Sequence, residues 1–539
     1  MDNIIIAQIN FKVGALAENF EKIIDLVQAN SGKTIIFSEL AICGYFAEDL
    51  LVDLNFIYKI SSYLLDIAKV SAQCDASVII GAPIVEDEKL YNAALYISEG
   101  DIRVVHKKIY LPNRGVFDEE RYFCSGDGVS QFNLGGKKVI CIICEDFWKI
   151  EASALACEDN LDFLIVLNAS PFETGKLMRR IERGKFLVQK IKCPIMYVNL
   201  VGAQDSIVFD GNSFVLYPDK KIALMDSVIE QVKCINNIDI IDTEILDNNK
   251  FADIYNVICL GIRDYFAKNN QHKALIAFSG GIDSALCAAL TIDALGKENV
   301  RLITLPSRYT GNLSYIDAKY LIDAYNVETL NISIENLFNE LQSSLSPAFK
   351  SYSEDVTEEN MQSRIRGLIM MSLSNKYNAL LITTGNKSEY ACGYATIYGD
   401  MCGALAPIKD VFKTDVYKLA HWRNNNIPVI TNNNYKSMFS DSILVKPPTA
   451  ELRFDQKDSD SLPEYSILDI FLKEFIEKKS MVEDIKVVGL DDDTKYKIIN
   501  MIRLSEYKRR QSAIGIKVSE CSFDKDWRFP IANNYIQNE

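Results

Sequence analysis

The sequence predicts an α/β protein, and its 539 residues are more than one core usually fills. Short runs rich in β-branched residues alternate with amphipathic stretches, which is typical of strands and helices in α/β folds. An acidic, asparagine-rich stretch at residues 236–250, NNIDIIDTEILDNNK, interrupts this rhythm. A new helical pattern follows and leads into a strand and the glycine-rich sequence SGGIDS. We therefore predict two domains, residues 1–245 and 246–539.

Six segments of the first half have the composition of strands, and helical patterns lie between several of them. They are NIIIAQI, KTIIFSEL, ASVIIGAP, KKVICIIC, LDFLIVLN and CPIMYVNL. The second half continues the alternation with KALIAF, NVRLITLP and NALLITTGN. We interpret the last three as strands of a doubly wound parallel sheet whose carboxyl ends carry ligand-binding loops.

Composition and charge exclude several classes of partner. The formal net charge of −15 repels a phosphate backbone, so we expect no nucleic acid partner. No apolar run approaches the length of a membrane span and no basic signal region precedes one, so we expect no membrane contact and a cytoplasmic location. The 13 cysteines show no zinc-ligand pattern, which fits reduced thiols. Because there are only three histidines, a cysteine nucleophile is expected to use a different base.

The sequence SGGIDS has the features of a phosphate-binding loop. It comprises Ser279, Gly280, Gly281, Ile282, Asp283 and Ser284. Glycines let backbone amides face a ligand, and the following helix contributes the positive end of its dipole. Serine hydroxyls can donate to phosphate oxygens, whereas an aspartate next to phosphates implies a bound Mg²⁺. A simple helix cap is the alternative, but the complete strand–loop–helix context favours pyrophosphate binding.

This loop has no Walker-type lysine, and it resembles the signature of the N-type ATP pyrophosphatases. Members of that family cleave ATP between the α- and β-phosphates and transfer AMP to a substrate oxygen. Five further segments are similar to NAD synthetases over most of residues 250–539. They are LPSRYTG, EENMQSRIRG, TTGNKSEYACGYATIYGDMCGALAPIKDVFKT, KPPTAELRFDQKDSDSLPEYSILD and EYKRRQSAIG. The resemblance implies Mg²⁺ as cofactor and ATP and deamido-NAD as substrates.

The resemblance also implies roles for individual residues of the second half. Around ATP, besides the loop, we expect Ser307, Arg308, Thr384 and Lys413. Around deamido-NAD we expect Asn360, Arg364, Glu389, Asp400 and Lys508. Glu389 is expected to complete the Mg²⁺ site with Asp283. Arg364 and Arg366, with Lys387, would help to balance the phosphate charge. Residues 455–458 would belong to a loop that closes on substrate.

Three side chains in the first half lie where predicted strands end. Glu39 ends KTIIFSEL, Lys108 precedes a predicted loop, and Cys144 ends KKVICIIC. We expect them at one edge of a sheet, where they form a set sufficient for amide hydrolysis. Cys144 would attack a carboxamide, Glu39 would take and return the proton, and Lys108 would stabilise the oxyanion. The ammonium would also favour the thiolate.

This set resembles the Glu–Lys–Cys triad of the nitrilase superfamily, which implies an αββα sandwich. Glu119, in the sequence FDE, matches the extra glutamate common in that superfamily. NASPFETGK and VNLVGAQDSIVFDGNS are similar to the glutaminase domain fused to NAD synthetases, in which Ser170 and Lys176 match positions of the glutamine pocket. Arg114 stands where the family usually has tyrosine, and its guanidinium can bind the α-carboxylate of glutamine.

The predicted function is therefore a glutamine-dependent NAD synthetase in which one site releases ammonia and the other adenylates and amidates deamido-NAD. The resemblance implies a dimer-based homo-oligomer. Three alternatives stay open: a synthetase that uses only free ammonia, an adenylating amidotransferase that acts on nicotinate mononucleotide, and a nucleotide-sensing scaffold without activity.

Overall fold

The computed structural model describes residues 3–155, 161–242, 249–454, 456–533 and 535. The chain divides into two compact units, Met1–Lys250 and Phe251–Glu539. The boundary that we predict at 245/246 lies within residues 243–248, outside the described residues. In the part of the chain that the structure covers, no helix has the length and apolar character needed to cross a membrane.

The first unit contains fifteen strands and five α-helices among its described residues. The strands are β1 (Ile4–Gln8), β2 (Thr34–Ile36), β3 (Ser77–Glu86), β4 (Lys89–Ser98), β5 (Asp101–Lys107), β6 (Gln131–Leu134), β7 (Lys137–Ile143), β8 (Phe163–Asn168), β9 (Ile195–Asn199), β10 (Val201–Gln204), β11 (Ile207–Asp210), β12 (Phe214–Leu216), β13 (Lys221–Leu224), β14 (Gln231–Cys234) and β15 (Ile240–Asp242). The helices are α1 (Leu16–Ala29), α2 (Leu54–Gln73), α3 (Glu145–Lys149), α4 (Ala152–Leu155) and α5 (Lys176–Ile191).

These strands form two large sheets and one small ribbon. The first sheet has the order β14-β1-β2-β3-β4-β5, the second has the order β15-β13-β12-β9-β8-β7-β6, and β10 pairs with β11. Strands β1 to β3 and β7 to β9 run parallel, while the flanking strands pair antiparallel. All six predicted strand segments of this half are confirmed.

The two sheets pack face to face between outer layers of helices. On β1, Ile4 and Ile6 join residues of the second sheet in one core, whereas Ile5 points to the opposite face, into a core shared with α1 and α2. The side chains of β7 alternate in the same way: Cys141 lies between the sheets, and Ile142 lies in the core under α5. Since successive side chains of a strand face opposite sides of the sheet, fully apolar strands indicate sheets that are buried on both faces. The predicted αββα sandwich is thus confirmed.

The second unit contains the remaining six strands and eleven α-helices of the described residues. The strands are β16 (Ala274–Ala277), β17 (Val300–Thr304), β18 (Glu328–Asn331), β19 (Leu380–Ile382), β20 (Leu405–Ala406) and β21 (Ile514–Gly515). The helices are α6 (Lys250–Lys268), α7 (Ile282–Leu295), α8 (Asn312–Tyr325), α9 (Glu335–Phe349), α10 (Val356–Tyr377), α11 (Lys387–Cys392), α12 (Lys413–Asn425), α13 (Asp441–Val445), α14 (Tyr465–Leu472), α15 (Asp492–Leu504) and α16 (Glu506–Arg510).

All six strands of this unit are parallel, in the order β18-β17-β16-β19-β20-β21. The chain winds outward from β16 in one direction and from β19 in the other. In such doubly wound sheets the ligand binds at the carboxyl ends of the two strands where the order reverses. SGGIDS begins two residues after the end of β16, and Thr384 lies two residues after the end of β19, so this topology places both at the switch point. The predicted doubly wound parallel sheet is confirmed.

Gly81 on β3 provides a test of how closely the first sheet supports Glu39. A Cβ atom at Gly81 would lie 2.5 Å from the Leu40 nitrogen and 2.6 Å from the Glu39 Cα. We predict that Gly81→Ala costs about 1–3 kcal/mol of stability because the backbone must shift, which lowers the Tm by at least about 2 °C. Gly128→Ala is the matched control, since nothing lies within 4 Å of its Cβ position. Equal Tm values for both variants in a thermal melt would contradict this packing.

Candidate functional site

Glu39, Lys108 and Glu119 form a buried network in the first unit. Lys108 Nζ donates to Glu39 Oε1 and to Glu119 Oε1, at 2.7 Å each. The three residues are at most 4% exposed. Burial opposes the charge of Lys108, but the carboxylates of Glu119 and Glu39 prevail and raise its pKa well above the ordinary value. The ammonium is therefore held charged between two carboxylates.

Two further donors fix the Glu39 carboxylate. Asn92 Nδ2 donates to Oε1 at 2.8 Å, and the Ala169 amide donates to Oε2 at 2.9 Å. Burial raises the pKa of Glu119 to about 7, although the Lys108 ammonium lowers it and Glu39 raises it further. The hydroxyl of Tyr45 also donates to Glu119. Asn92 was not predicted, because it lies on an antiparallel strand that the sequence analysis did not identify.

Cys144 lies at the turn between β7 and α3, where its backbone has φ 42° and ψ −95°. This left-handed conformation is strained for a residue with a side chain, and such strain is typical of functional turns. Burial raises the pKa of the Cys144 thiol well above its ordinary value; Glu39 adds to the rise and Lys108 only partly opposes it. Lys108 therefore acts on the thiol in the expected direction, but burial and the neighbouring carboxylates outweigh it in this state.

The predicted triad comes from both sheets rather than from one sheet edge. Glu39 follows β2 and Lys108 follows β5, which belong to the first sheet, while Cys144 follows β7 of the second. Strand β5 runs parallel to β3, and thus to β2, because two antiparallel steps separate β5 from β3. The ends of β2 and β5 therefore share an edge. The sandwich brings Cys144 to the same end, where its thiol interacts electrostatically with all three charged groups.

The three predicted glutamine-binding residues lie in different surroundings. Arg114 is exposed, and its Nη2 lies 3.5 Å from Glu145 Oε1, beside a cavity of about 600 Å³. Ser170 is 2% exposed, and its hydroxyl accepts from Arg180 Nε at 3.3 Å. Lys176 begins α5. Among the described residues, neither Ser170 nor Lys176 lines the cavity beside Arg114.

The SGGIDS loop has the geometry of a closely packed turn at the start of α7. Gly280 has φ +79°, and a Cβ there would lie 2.0 Å from the Ser314 carbonyl oxygen, so only glycine fits. The Gly281 amide donates to Ser279 Oγ at 3.2 Å, and Ser284 Oγ donates to the Gly281 carbonyl at 3.0 Å. The loop lines a cleft of about 300 Å³. All of the predicted loop residues except Gly280 contribute to its wall.

A buried lysine links the two predicted Mg²⁺ ligands. Lys413 Nζ donates to Asp283 Oδ2 and, at 3.3 Å, to Glu389 Oε1. Asn386 Nδ2 donates to Asp283 Oδ1 at 3.0 Å. Burial raises the pKa of Glu389 to about 8, although Lys413 lowers it and Asp283 raises it further. The two carboxyl groups thus contact the same ammonium.

The donor set fits Mg²⁺ that arrives with a nucleotide. In the described ranges, no three His, Cys, Asp or Glu residues are grouped as a metal site. Nucleotide-bound Mg²⁺ needs only one or two protein carboxylates, because phosphates and waters complete its octahedron. Asp283 and Glu389 reach the same ammonium and can supply such a pair.

Only some of the other predicted residues of the second unit line the cleft. Thr384 and Asp400 line it, together with Arg366. In the part of the chain that the structure describes, the lining does not include these predicted residues: Ser307, Arg308, Asn360, Arg364 and Lys508. Their side chains bind protein groups instead.

The predicted residues that do not line the cleft form contacts with other protein groups. Arg308 pairs with Glu335, whereas Arg366 donates to Ser307 Oγ at 3.3 Å. The hydroxyl of Thr396 donates to Asn360 Oδ1 at 2.8 Å. Arg364 donates weakly to the Ile397 carbonyl, and Lys508 donates to two other carbonyls of the 390–400 segment, those of Gly393 and Ala395.

Lys387 does not balance substrate phosphates as we expected. It is fully buried and forms ion pairs with Asp410, at 2.9 Å, and Glu477, at 2.7 Å. Its ammonium also donates to Ser519 Oγ. This lysine joins distant segments of the fold, and sequence alone could not distinguish it from a phosphate ligand. Of the predicted closing loop, residue 455 lies outside the described residues, and Asp458 lines the cleft.

Comparisons with known proteins cover both units. The family described as carbon-nitrogen hydrolase matches residues 4–232, and the family described as NAD synthase matches residues 254–512. The glutamine-dependent NAD(+) synthetase of Xanthomonas campestris pv. campestris is 40% identical over 551 residues, which span 99% of this chain and 97% of that protein. The corresponding protein of Thermotoga maritima is 36% identical, with 98% of both chains covered.

Solved structures are similar over the same length. The chain matches the glutamine-dependent NAD+ synthetase from Acinetobacter baumannii, solved in complex with ADP, with a TM-score of 0.75, 34% identity and 98% of both chains covered. It matches a glutamine-dependent NAD(+) synthetase from Cytophaga hutchinsonii with a TM-score of 0.81, 21% identity and coverage of 98% and 97%. The second match supports the fold alone.

The raised pKa of Glu119 predicts how the stability of the first unit depends on pH. Since the folded state holds this proton up to about pH 7 and an ordinary glutamate releases it near 4.5, the stabilisation is complete below about 4.5 and is lost as the pH rises through about 7. Glu119→Gln should remove this dependence, worth on the order of 1–3 kcal/mol.

The measurement is urea unfolding at pH 5 and pH 8, with hydrogen exchange of peptides from Met1–Lys250 as the readout. The exposed neighbour variant Glu120→Gln should keep the wild-type dependence. A wild-type slope in Glu119→Gln would show that another group carries the effect.

Proposed function

The chain belongs to the family of glutamine-dependent NAD(+) synthetases, and from this premise we propose how its residues divide the reaction. The protein is an ATP-dependent carbon–nitrogen ligase. The first unit releases ammonia from glutamine, and the second converts deamido-NAD to NAD, AMP and pyrophosphate. The observation that carries the amidase assignment is the Lys108 ammonium held between Glu39 and Glu119, with the strained Cys144 in their field.

Amide hydrolysis follows from this geometry in two steps. Because burial keeps Cys144 protonated, Glu39 takes the thiol proton as sulfur attacks the carboxamide carbon. Lys108 stabilises the oxyanion, and the C–N bond breaks as the nitrogen takes up the proton and leaves as ammonia. Water, deprotonated by Glu39, then attacks the thioester, which releases glutamate and restores the thiol. Glu119 keeps Lys108 in place through both steps.

Adenylation takes place at the switch-point cleft. Amides and hydroxyls of the SGGIDS loop bind the pyrophosphate of ATP at the start of α7, and Thr384 lies at the end of the neighbouring strand. Mg²⁺, when bound, neutralises phosphate charge, and Asp283 and Glu389 would hold it. Lys413 is then free to move from these carboxylates to a phosphate oxygen. The carboxylate of deamido-NAD attacks the α-phosphorus of ATP, and pyrophosphate leaves. Ammonia then attacks the carbonyl carbon of the adenylate, and AMP leaves.

Binding of deamido-NAD involves the segment around residues 390–400. We assign Asp400 to this substrate because it lines the cleft. Asn360, Arg364 and Lys508 border the same segment through their hydrogen bonds. Ser307 and Arg308 act on ATP only after their present partners release them. A cytoplasmic location, which the free thiols of the described cysteines support, and a dimer-based homo-oligomer complete the proposal.

The division of labour is tested by NAD formation from deamido-NAD and Mg-ATP with either glutamine or ammonium. We predict that Cys144→Ala loses the glutamine reaction by at least about 10³-fold, because the nucleophile is absent, and keeps the ammonium reaction within about twofold. The buried Cys141→Ala variant is the matched control and should keep both reactions. A Cys144→Ala protein that still uses glutamine would refute the amidase assignment.

Arg114 should determine the affinity for glutamine. We predict that Arg114→Gln raises the KM for glutamine by about 10-fold or more, since a charge-assisted contact to the α-carboxylate is worth about 1.5–3 kcal/mol, and leaves kcat nearly unchanged. Arg121→Gln is the control: Arg121 is similarly exposed and also lies near a carboxylate, that of Asp49, but among the described residues it does not line the cavity beside Arg114. An unchanged KM in Arg114→Gln would remove this residue from the glutamine site.

A further inference from the structure

Asp146 is a fully buried carboxylate that takes no part in the chemistry described above. It lies two residues after Cys144, on α3, and its side chain is 0% exposed. Oδ1 accepts from the Ile109 amide at 3.1 Å and from the Tyr110 amide at 2.9 Å. Oδ2 accepts from His106 Nε2 at 2.7 Å and from the Ile143 amide at 3.3 Å. A buried charge with this many donors has a defined structural task.

These bonds join the segment that carries the ammonium to the turn that carries the nucleophile. Ile109 and Tyr110 directly follow Lys108, and Ile143 directly precedes Cys144. No backbone hydrogen bond of a continuous sheet can do this, because the two segments end in different sheets. One carboxylate therefore sets the position of Lys108 relative to a cysteine whose strained backbone needs external support.

His106 orients this carboxylate. It is one of three histidines in the chain, lies on β5 two residues before Lys108, and is 3% exposed. Its Nδ1 is buried and has no hydrogen-bond partner within the described residues. The Nε2 nitrogen carries the hydrogen of the bond to Asp146, since a carboxylate oxygen only accepts.

We propose that Asp146, oriented by His106, is a positioning residue for glutamine hydrolysis that fixes Lys108 and Cys144 relative to one another without touching the substrate. The inference rests on the proposed amidase role of the first unit. Two kinds of residue then surround the nucleophile: those that contact glutamine, and those that fix the positions of the reacting side chains.

The test is steady-state glutamine hydrolysis by the full-length protein with Mg-ATP and deamido-NAD present. In Asp146→Asn an amide N–H₂ replaces one oxygen and meets the donors of His106 and Ile143. We expect kcat to fall at least 10-fold, KM to change less than threefold, and iodoacetamide to alkylate Cys144 with an altered pH profile. NAD formation from ammonium should stay within twofold of wild type, which shows that the protein is folded.

Asp162→Asn is the matched control. Asp162 Oδ2 also accepts a backbone amide on β7, that of Lys138 at 2.9 Å, but at the opposite end of the strand from Cys144. This variant should keep the wild-type kcat and alkylation profile. A lower Tm with wild-type kcat in Asp146→Asn would show a purely structural role and overturn the proposal.

Two histidine variants keep the test decisive even where Asp146→Asn cannot be purified as a folded protein. His106→Leu removes the orienting donor and should lower kcat at least threefold, whereas His106→Gln, which keeps an N–H donor, should recover most of it. Equal activity of both variants and wild type would overturn the role of His106. If the wild-type protein itself hydrolyses no glutamine, the proposed amidase function fails instead.

Discussion

A lysine ammonium shared by two buried carboxylates is the interaction on which each unit depends. In the first unit Lys108 lies between Glu39 and Glu119, and in the second Lys413 lies between Asp283 and Glu389. Removing an ion from water costs several kcal/mol, so neither lysine would remain charged at these depths without its carboxylates. In both cases the carboxylates are the groups to which the chemistry assigns work.

The two clusters differ in which of their contacts must be replaced when substrate binds. Lys108 is held by Glu39 and Glu119, and Asn92 together with the Ala169 amide fixes Glu39. In the proposed amidase, these contacts are therefore formed before glutamine arrives. At the synthetase cleft, Lys413 contacts Asp283 and Glu389, the two residues that would hold Mg²⁺. Binding of a Mg²⁺–nucleotide complex would therefore require Mg²⁺ to replace the lysine ammonium.

Much of this arrangement could be predicted from the sequence, because strand ends are visible in hydrophobic patterning and chemically reactive residues follow them. Glu39, Lys108 and Cys144 follow strands, as predicted. The alternation also predicted ligand-binding loops at strand ends, whereas the switch-point position of SGGIDS depends on the strand order. Pairing across sheets was not visible, since it depends on antiparallel strands of mixed composition such as β4. The same limit applies to Lys387, which has the charge of a phosphate ligand but is taken up by Asp410 and Glu477.

We propose that the carboxamide nitrogen of NAD comes from glutamine that this protein itself hydrolyses. The most direct measurement supplies glutamine labelled with ¹⁵N in its side-chain amide, an equal concentration of unlabelled ammonium, deamido-NAD and Mg-ATP at neutral pH. Mass spectrometry of the product then reports the nitrogen source. We expect NAD that is mainly ¹⁵N-labelled, because free ammonia is scarce at this pH. NAD that carries only unlabelled nitrogen would contradict it.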